Sequence, residues 1–381
     1  MLKKALIYII GFIALIYLVL VVTDNTYLYK AIVYNYVNID DNDLFNQRTI
    51  ANDKSSAWQL SKNFNATPLP EKLDSTLRAY ESVAFLIIKN DSIEHEKYWD
   101  GYGTSSLSNS FSMAKSIISI LIGIAIDEGH IKSIDQSIGD FLPEYNEGDK
   151  KKVTIKHLLM MSSGLNWDES YGSAFSVTTK AYYGTDLYAL VKDLEVEEDP
   201  GKMYRYKSGN TQLLAFILEK ATGKNVSDFA GEKLWQPLNA EHNAEWSLDT
   251  DGGMEKAYCC FYSNARDFAR IGKLYLNEGM FNGAQVVSAD YVKQSIAPNA
   301  ALTPEGKPNT HYGLHWWLMN RQGYDIFYAR GILGQYIIGI PELNLVVVRL
   351  GHKRSEVKEN FHVTDVLLYI DEVLNMYATK I

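Results

Sequence analysis

Residues 117–126 read Ile-Ile-Ser-Ile-Leu-Ile-Gly-Ile-Ala-Ile, which is apolar nearly all round when wound as a helix. Such a helix has no face to offer water, so it belongs in the middle of a domain. Immediately upstream stands Phe111-Ser112-Met113-Ala114-Lys115-Ser116. Ser112 and Lys115 are three residues apart and share one side of the first turn. Loss of hydration there disfavours a charged amine, and a partly neutral amine beside a hydroxyl is a base beside a nucleophile. Taken alone, the tetrapeptide reads first as a serine cap and a snorkelling surface lysine. The apolar run behind it favours the chemistry.

A chain of 381 residues holds one large domain or two modest ones, with ample core. Its 46% hydrophobic and 22% charged residues exclude wholesale disorder. A formal net charge of −9, with no long Lys/Arg run, argues against nucleic-acid binding.

Lys3 and Lys4 precede Ala5 to Val22, a stretch without a charge. As a helix it spans roughly 27 Å, close to the hydrocarbon thickness of a bilayer. The lysines place the N-terminus in the cytoplasm and the rest outside, in a periplasmic or other extracytoplasmic space. Val21-Val22-Thr23-Asp24 offers no small-residue cleavage site, so an uncleaved single-pass anchor is expected over residues 1–24. Residues 25–74, polar and rich in Asn and Asp, are expected to form a stalk with local structure, free to pack on the main domain. Residues 75–381 form the main domain. Cys259 and Cys260 are adjacent; they are expected to stay unpaired and buried as small hydrophobes.

Val83 to Ile88 and Ser92 to Tyr98 are strand-like runs joined by Lys89-Asn90-Asp91, a hairpin signal. Gly129 ends the serine helix. Thr154 caps a helix that stops by Gly164, and helices are also expected over 186–194, 211–221 and 265–277. Residues 166–185 read as a long loop that shapes any pocket. Residues 323–328, 335–340 and 343–350 read as strands, and 364–377 as a closing helix. Strands at both chain ends with helices between predict an α+β fold: an antiparallel sheet built from the two ends and a mostly helical insert.

Two further stretches carry chemistry. Tyr206-Lys207-Ser208 precedes a helix, and a phenol near an ammonium has its phenolate stabilised. With 26 tyrosines in the chain, Tyr206 alone says little, and Tyr204 competes with it. Gly331-Ile332-Leu333-Gly334-Gln335 opens a late strand, where glycines let a substrate approach backbone N–H groups; it also reads as a plain hairpin turn.

Together the three stretches resemble the serine β-lactamase and DD-peptidase superfamily, in its class C-like branch of aminohexanoate-dimer hydrolases and related esterases. The resemblance runs from about Ser82 to Arg349 and takes in Ile155 to Leu165, Asn264 to Gly272 and Tyr312 to Trp317. It implies that Ser112 is the acylated nucleophile, that Lys115 takes its proton and that Tyr206 relays protons to the leaving group and water. It implies an oxyanion hole from the backbone N–H groups of Ser112 and Ile332, with Ser208, Gly331 and Gly334 in support. No metal or cofactor is implied.

Two departures matter. Tyr-x-Ser replaces the Tyr-x-Asn of β-lactamases, and Ala329-Arg330-Gly331 replaces Lys-Thr-Gly. The cation for a substrate carboxylate is absent at Ala329, and strand alternation is expected to turn Arg330 away. Esters or small amides are therefore expected as substrates, with β-lactams poor. A D-alanyl-D-alanine carboxypeptidase, a β-lactamase and a weakly catalytic sensing module remain alternatives, and the oligomeric state stays open. His311 and His315 have a metal-like spacing only if helical, and their surroundings read as strand or loop. No G-x-S-x-G elbow occurs.

Overall fold

The computed structural model describes residues 2–23 and 25–378; the expected outer bounds of the anchor, Met1 and Asp24, lie outside them, as does the 379–381 end of the main domain. Helix α1 (Leu2–Val22) contains an 18-residue stretch with a mean hydropathy of 3.0, has no buried residue, and is long and apolar enough to cross a bilayer.

Residues 25–74, expected as a stalk, contribute to the packed body. Helix α2 (Tyr27–Tyr34) buries Tyr27, Leu28 and Ala31, strand β1 (Gln47–Ile50) pairs with a later strand, and β2 (Gln59–Leu60) runs along a sheet edge. Ile39 and Ile50 are fully buried, and the Trp58 indole donates to the Arg266 carbonyl at 2.9 Å. Single apolar anchors and backbone pairing hold this segment, so it shows no periodic stripe to read. Helix α3 (Glu71–Ala79) follows.

The expected hairpin is β3 (Ser82–Lys89) with β4 (Ser92–Tyr98). Asn90 and Asp91 both adopt positive φ, 47° and 64°, the backbone of a tight two-residue turn. Strand β5 (Ser108–Asn109) leads to the serine helix, α4 (Ala114–Asp127), whose residues 114–125 are all buried. Helix α5 (Ile155–Leu159) opens on a capping box between Thr154 and His157 and ends before the expected stop at Gly164. The span 166–185, expected as loop throughout, contains α6 (Val177–Tyr183), capped by Ser176. Its Tyr- and Gly-rich flanks mask the short helix. Helices α7 (Leu187–Val191) and α8 (Ser208–Thr222) follow, α8 ending at Gly223 in the left-handed conformation.

After α9 (Val226–Ala230) come β6 (Ala244–Ser247), β7 (Phe261–Ser263) and α10 (Ala265–Leu276), capped by Asn264. A small hairpin, β8 (Met280–Phe281) with β9 (Ala284–Gln285), precedes α11 (Ala289–Ser295). The chain closes with β10 (Trp317–Arg321), β11 (Tyr324–Gly331), β12 (Gln335–Ile340), β13 (Leu345–Gly351), the short pair β14 (Lys358–Glu359) and β15 (His362–Val363), and α12 (Thr364–Tyr377).

The main sheet has the order β10-β11-β12-β13-β3-β4-β2, so the two chain ends meet where β13 pairs antiparallel with β3. Helix α10 packs on one face, where Gly272 lets Val346 and Ile337 approach its backbone. The opposite face meets α12, with the Tyr336 hydroxyl donating to Asp365 at 2.8 Å. A second sheet, β1-β6-β7-β5, was not legible because its strands are two to four residues long. Against expectation, Cys259 and Cys260 are joined as a disulfide; Cys260 takes positive φ, 66°, which brings the adjacent side chains together.

Candidate active site

Ser112 lies in a tight turn, Phe111–Met113, feeding α4. Phe111 takes positive φ, 43°, which for a bulky residue costs about 1–3 kcal/mol and persists only where its surroundings enforce it. Asn109 does so: its side-chain oxygen accepts from Phe111 N at 2.8 Å and Cys260 N at 3.1 Å. The N-terminal segment braces the same turn through the Asn109 N–H bond to the Ile39 carbonyl, 2.8 Å. Lys115, 1% exposed on α4, donates to Ser112 Oγ at 3.0 Å and to the Tyr258 carbonyl at 2.8 Å. Two acceptors fix the amine beside the hydroxyl.

Tyr206 precedes α8, its ring stacked on Trp317 with centroids 5.8 Å apart. Lys115 Nζ lies 5.2 Å from the centroid of that ring. Ser208 forms the first turn of α8, and Glu169 accepts from both its N–H and its hydroxyl, each at 2.6 Å. The same carboxylate accepts from the Trp167 indole at 2.8 Å and from the Tyr171 hydroxyl. A carboxylate at a helix N-terminus also meets the favourable end of the helix dipole.

The third stretch closes the site. At Gly331 a Cβ would overlap the Ser110 carbonyl oxygen, so β11 approaches the nucleophile's turn as only glycine permits. Ile332 follows, then Leu333 and Gly334 at positive φ, 59° and 86°. Buried Arg349 holds this corner: its guanidinium donates to the carbonyls of Leu333 at 2.9 Å and Gly334 at 2.6 Å, and to Ser82 Oγ at 2.9 Å.

Ser112 sits where two cavities meet, of about 430 and 250 Å³, and Ile332 and Tyr171 also line both. The larger is lined by Ala31, Asn35, Tyr36 and Val37 and by residues 171–174. The smaller contains Tyr204, Tyr206, Trp317 and three cations, Arg330, Arg354 and Lys358. A bigger cavity elsewhere, about 780 Å³, touches none of Ser112, Lys115 or Tyr206.

Arg330 is not turned away as alternation was expected to require. It shares a strand face with Tyr328, and Trp317 pairs with Tyr328, so alternation puts Arg330 on the Trp317 side. Its guanidinium carbon lies 3.4 Å from the Trp317 ring centroid, and one nitrogen donates to the Phe361 carbonyl at 3.0 Å. Neither Arg330, Arg354 nor Lys358 forms an ion pair among the described residues. Burial, then the charges of Arg330 and Arg354, hold the Lys358 amine below its usual range.

His311 and His315 face different neighbours. His311 stacks on Phe361 with centroids 3.8 Å apart; burial and then Arg330 lower it to about 4. His315 meets Thr211 Oγ1 at 3.0 Å and is lowered to about 3, chiefly by burial.

The sequence reading missed Asn109, Glu169, Arg349, Arg354 and Lys358. Glu169 lies in an aperiodic loop, while Arg349 sits in a strand whose apolar neighbours gave the only visible hint.

A mixed α/β fold of this kind, with a lysine-paired serine at a buried helix start, defines a member of the serine hydrolase superfamily. Residues 71–369 match the family described as Beta-lactamase, and the chain belongs to that family. It is 28% identical over 302 residues to the 6-aminohexanoate-dimer hydrolase of Paenarthrobacter ureafaciens, covering 75% of this chain and 76% of that one. A Bacillus anthracis structure, provisionally described as a 6-aminohexanoate-dimer hydrolase, superposes with a TM-score of 0.76 at 20% identity, covering 89% of this chain and 92% of that one. The crystal structure of a family VIII carboxylesterase superposes at 0.63 with 16% identity, covering 84% and 99%. At these identities the two structures speak to the fold.

Proposed function

We propose that the protein hydrolyses esters or small amides through an acyl-enzyme on Ser112, without metal or cofactor. The observation that carries this is the Lys115 Nζ to Ser112 Oγ hydrogen bond of 3.0 Å, set in a cavity that also holds Tyr206. As Ser112 Oγ attacks the carbonyl carbon, Lys115 takes the hydroxyl proton. The oxyanion forms between the Ser112 and Ile332 N–H groups. Tyr206 passes a proton to the departing oxygen or nitrogen, and a water deprotonated by the same pair then releases the acyl group. The name of the Paenarthrobacter relative, a hydrolase of a 6-aminohexanoate dimer, supports a small amide as one substrate class.

The apolar helix α1 and the flanking Lys3 and Lys4 support an anchor with the catalytic domain on the outer side of a membrane. Ser208, Gly331 and Gly334 act as supporting residues that shape the site.

A second reading has its own support. The cavity holding Tyr206 is the leaving-group side, and Arg330, Arg354 and Lys358 suit a leaving group that carries a carboxylate, as in a D-alanyl-D-alanine carboxypeptidase. A panel of neutral p-nitrophenyl esters, carboxylate-bearing amides and peptides ending in D-alanyl-D-alanine decides. Steady turnover of the esters and amides supports the first reading, and preference for the peptides supports the second. A burst followed by a stable adduct on every substrate would point instead to a sensing module.

A further inference from the structure

Helix α2 reads Tyr-Leu-Tyr-Lys-Ala-Ile-Val-Tyr, with one charge in eight residues. Its inner side, Tyr27, Leu28 and Ala31, is buried toward α6, and the Lys180 amine lies 5.9 Å from the Tyr27 ring centroid. Its outer side is just as apolar, yet Ile32 is 72% and Val33 54% exposed, with Tyr29 and Tyr34 exposed beside them and Tyr36 82% exposed beyond. A helix apolar on both sides needs two partners, and the body of the protein supplies one.

Chain length says what the second is. Only residues 23–26 separate α1 from α2, and four residues reach at most about 14 Å. Wherever α1 leaves a bilayer, α2 begins in or beside the headgroup layer. Tyrosines with aliphatic neighbours are the composition favoured there.

The same segment lines the catalytic cavity: Ala31, Asn35, Tyr36 and Val37 share its walls with residues 171–174 and Ser112. Phe175, next in the chain after Ala174, is 79% exposed and lies outside the residues that line the cavity. Beside this lining, Ile32 and Val33 on one segment and Phe175 on the other turn large apolar side chains outward.

We infer that α2 and Phe175 dock into the headgroup layer of the bilayer that holds α1, so that the Ser112 cavity opens onto the lipid surface and takes an amphiphilic ester or amide from it. This rests on reading α1 as a membrane anchor. The short linker holds the mouth at the surface, and Ile32, Val33 and Phe175 fix its orientation.

The test uses the full chain in nanodiscs of phosphatidylethanolamine and phosphatidylglycerol, with a nitroxide on one introduced cysteine at a time: Ile13→Cys, Val33→Cys, Phe175→Cys or Gln322→Cys. Cys259 and Cys260 are joined, so the introduced thiol is the free one. Gln322 lies in the turn between β10 and β11, at the opposite end of β11 from Arg330 and Gly331, which line the cavity. Accessibility to oxygen against a water-soluble nickel chelate should place the label at 13 in hydrocarbon, those at 33 and 175 in the interface and that at 322 in water. The variant I32S/V33S/F175S should lose about tenfold or more in kcat/KM on a long-chain ester presented in vesicles, and keep its rate on a short soluble ester.

A label at 13 in lipid with 33 and 175 as wet as 322 would overturn the docking and leave the anchor standing. A label at 13 in water would remove the anchor and the docking together. Spin–spin broadening at 33 that disappears on dilution with unlabelled chain would assign the face to a second copy and overturn the inference. Equal loss on the soluble ester would do so too, since it would mean a damaged site.

Discussion

Glu169 and Ser208 are joined twice: one carboxylate oxygen accepts the Ser208 N–H and the other its hydroxyl, both at 2.6 Å. With Trp167 and Tyr171 also donating, the carboxylate receives four donors and ties the pocket loop to the start of α8, two residues after Tyr206. Glu169→Gln would turn an N–H₂ toward donors, leaving at least one unsatisfied at a cost of about 1–3 kcal/mol. The expected result is a fall in kcat/KM of about ten- to a hundredfold on p-nitrophenyl esters. Unchanged kinetics would mean that the loop does not position Tyr206.

Gly331→Ala places a methyl group on the Ser110 carbonyl, in the turn that carries Ser112. Overpacking of this kind costs about 1–3 kcal/mol, and here it pushes Ile332 away from the nucleophile. Esterase activity is expected to fall at least tenfold with a thermal midpoint lower by a few degrees, read by calorimetry and kinetics on one sample.

Arg354→Ala and Lys358→Ala each remove an unpaired cation from the cavity that holds Tyr206. For substrates with a carboxylate on the leaving group, KM should rise about tenfold per substitution; for neutral esters it should stay within about twofold. Added salt should mimic the substitutions on the charged substrates alone.

Stability should decline in acid for an identifiable reason. Burial holds His315 at about 3, against an ordinary 6.5, and burial and Arg330 do the same for His362. Both folded values are depressed, so the unfolded chain takes up these protons first. Their contribution is fully present above pH 6.5 and is lost as the pH falls toward about 3. In urea titrations His362→Gln should make the decline across that window shallower by about 1.4 kcal/mol per pH unit, one proton's share.

Ser112, Lys115, Tyr206 and Ile332 were legible because each lies in a short ordered motif, and the apolar run 117–126 marks its helix as central. The hairpin at Asn90-Asp91, the strand 335–340 and the helix 364–377 were legible from turn residues and periodicity. The second sheet was not, since two- to four-residue strands carry no period. Glu169 reaches Ser208, 39 residues away, and Arg349 acts through partners 15 or more residues away, a relation with no local signature. Arg330 was misjudged because alternation was applied without Trp317, whose ring lies on the same face and carries the guanidinium into the cavity.

The most direct measurement is intact mass of the full chain, followed by peptide mapping, during turnover of a slow p-nitrophenyl ester. One acyl group on Ser112, accumulating and decaying at the rate of steady-state turnover and absent from Ser112→Ala, is the expected result. Hydrolysis by Ser112→Ala at the unmodified rate, or an acyl group lodged on any other residue, would contradict the account.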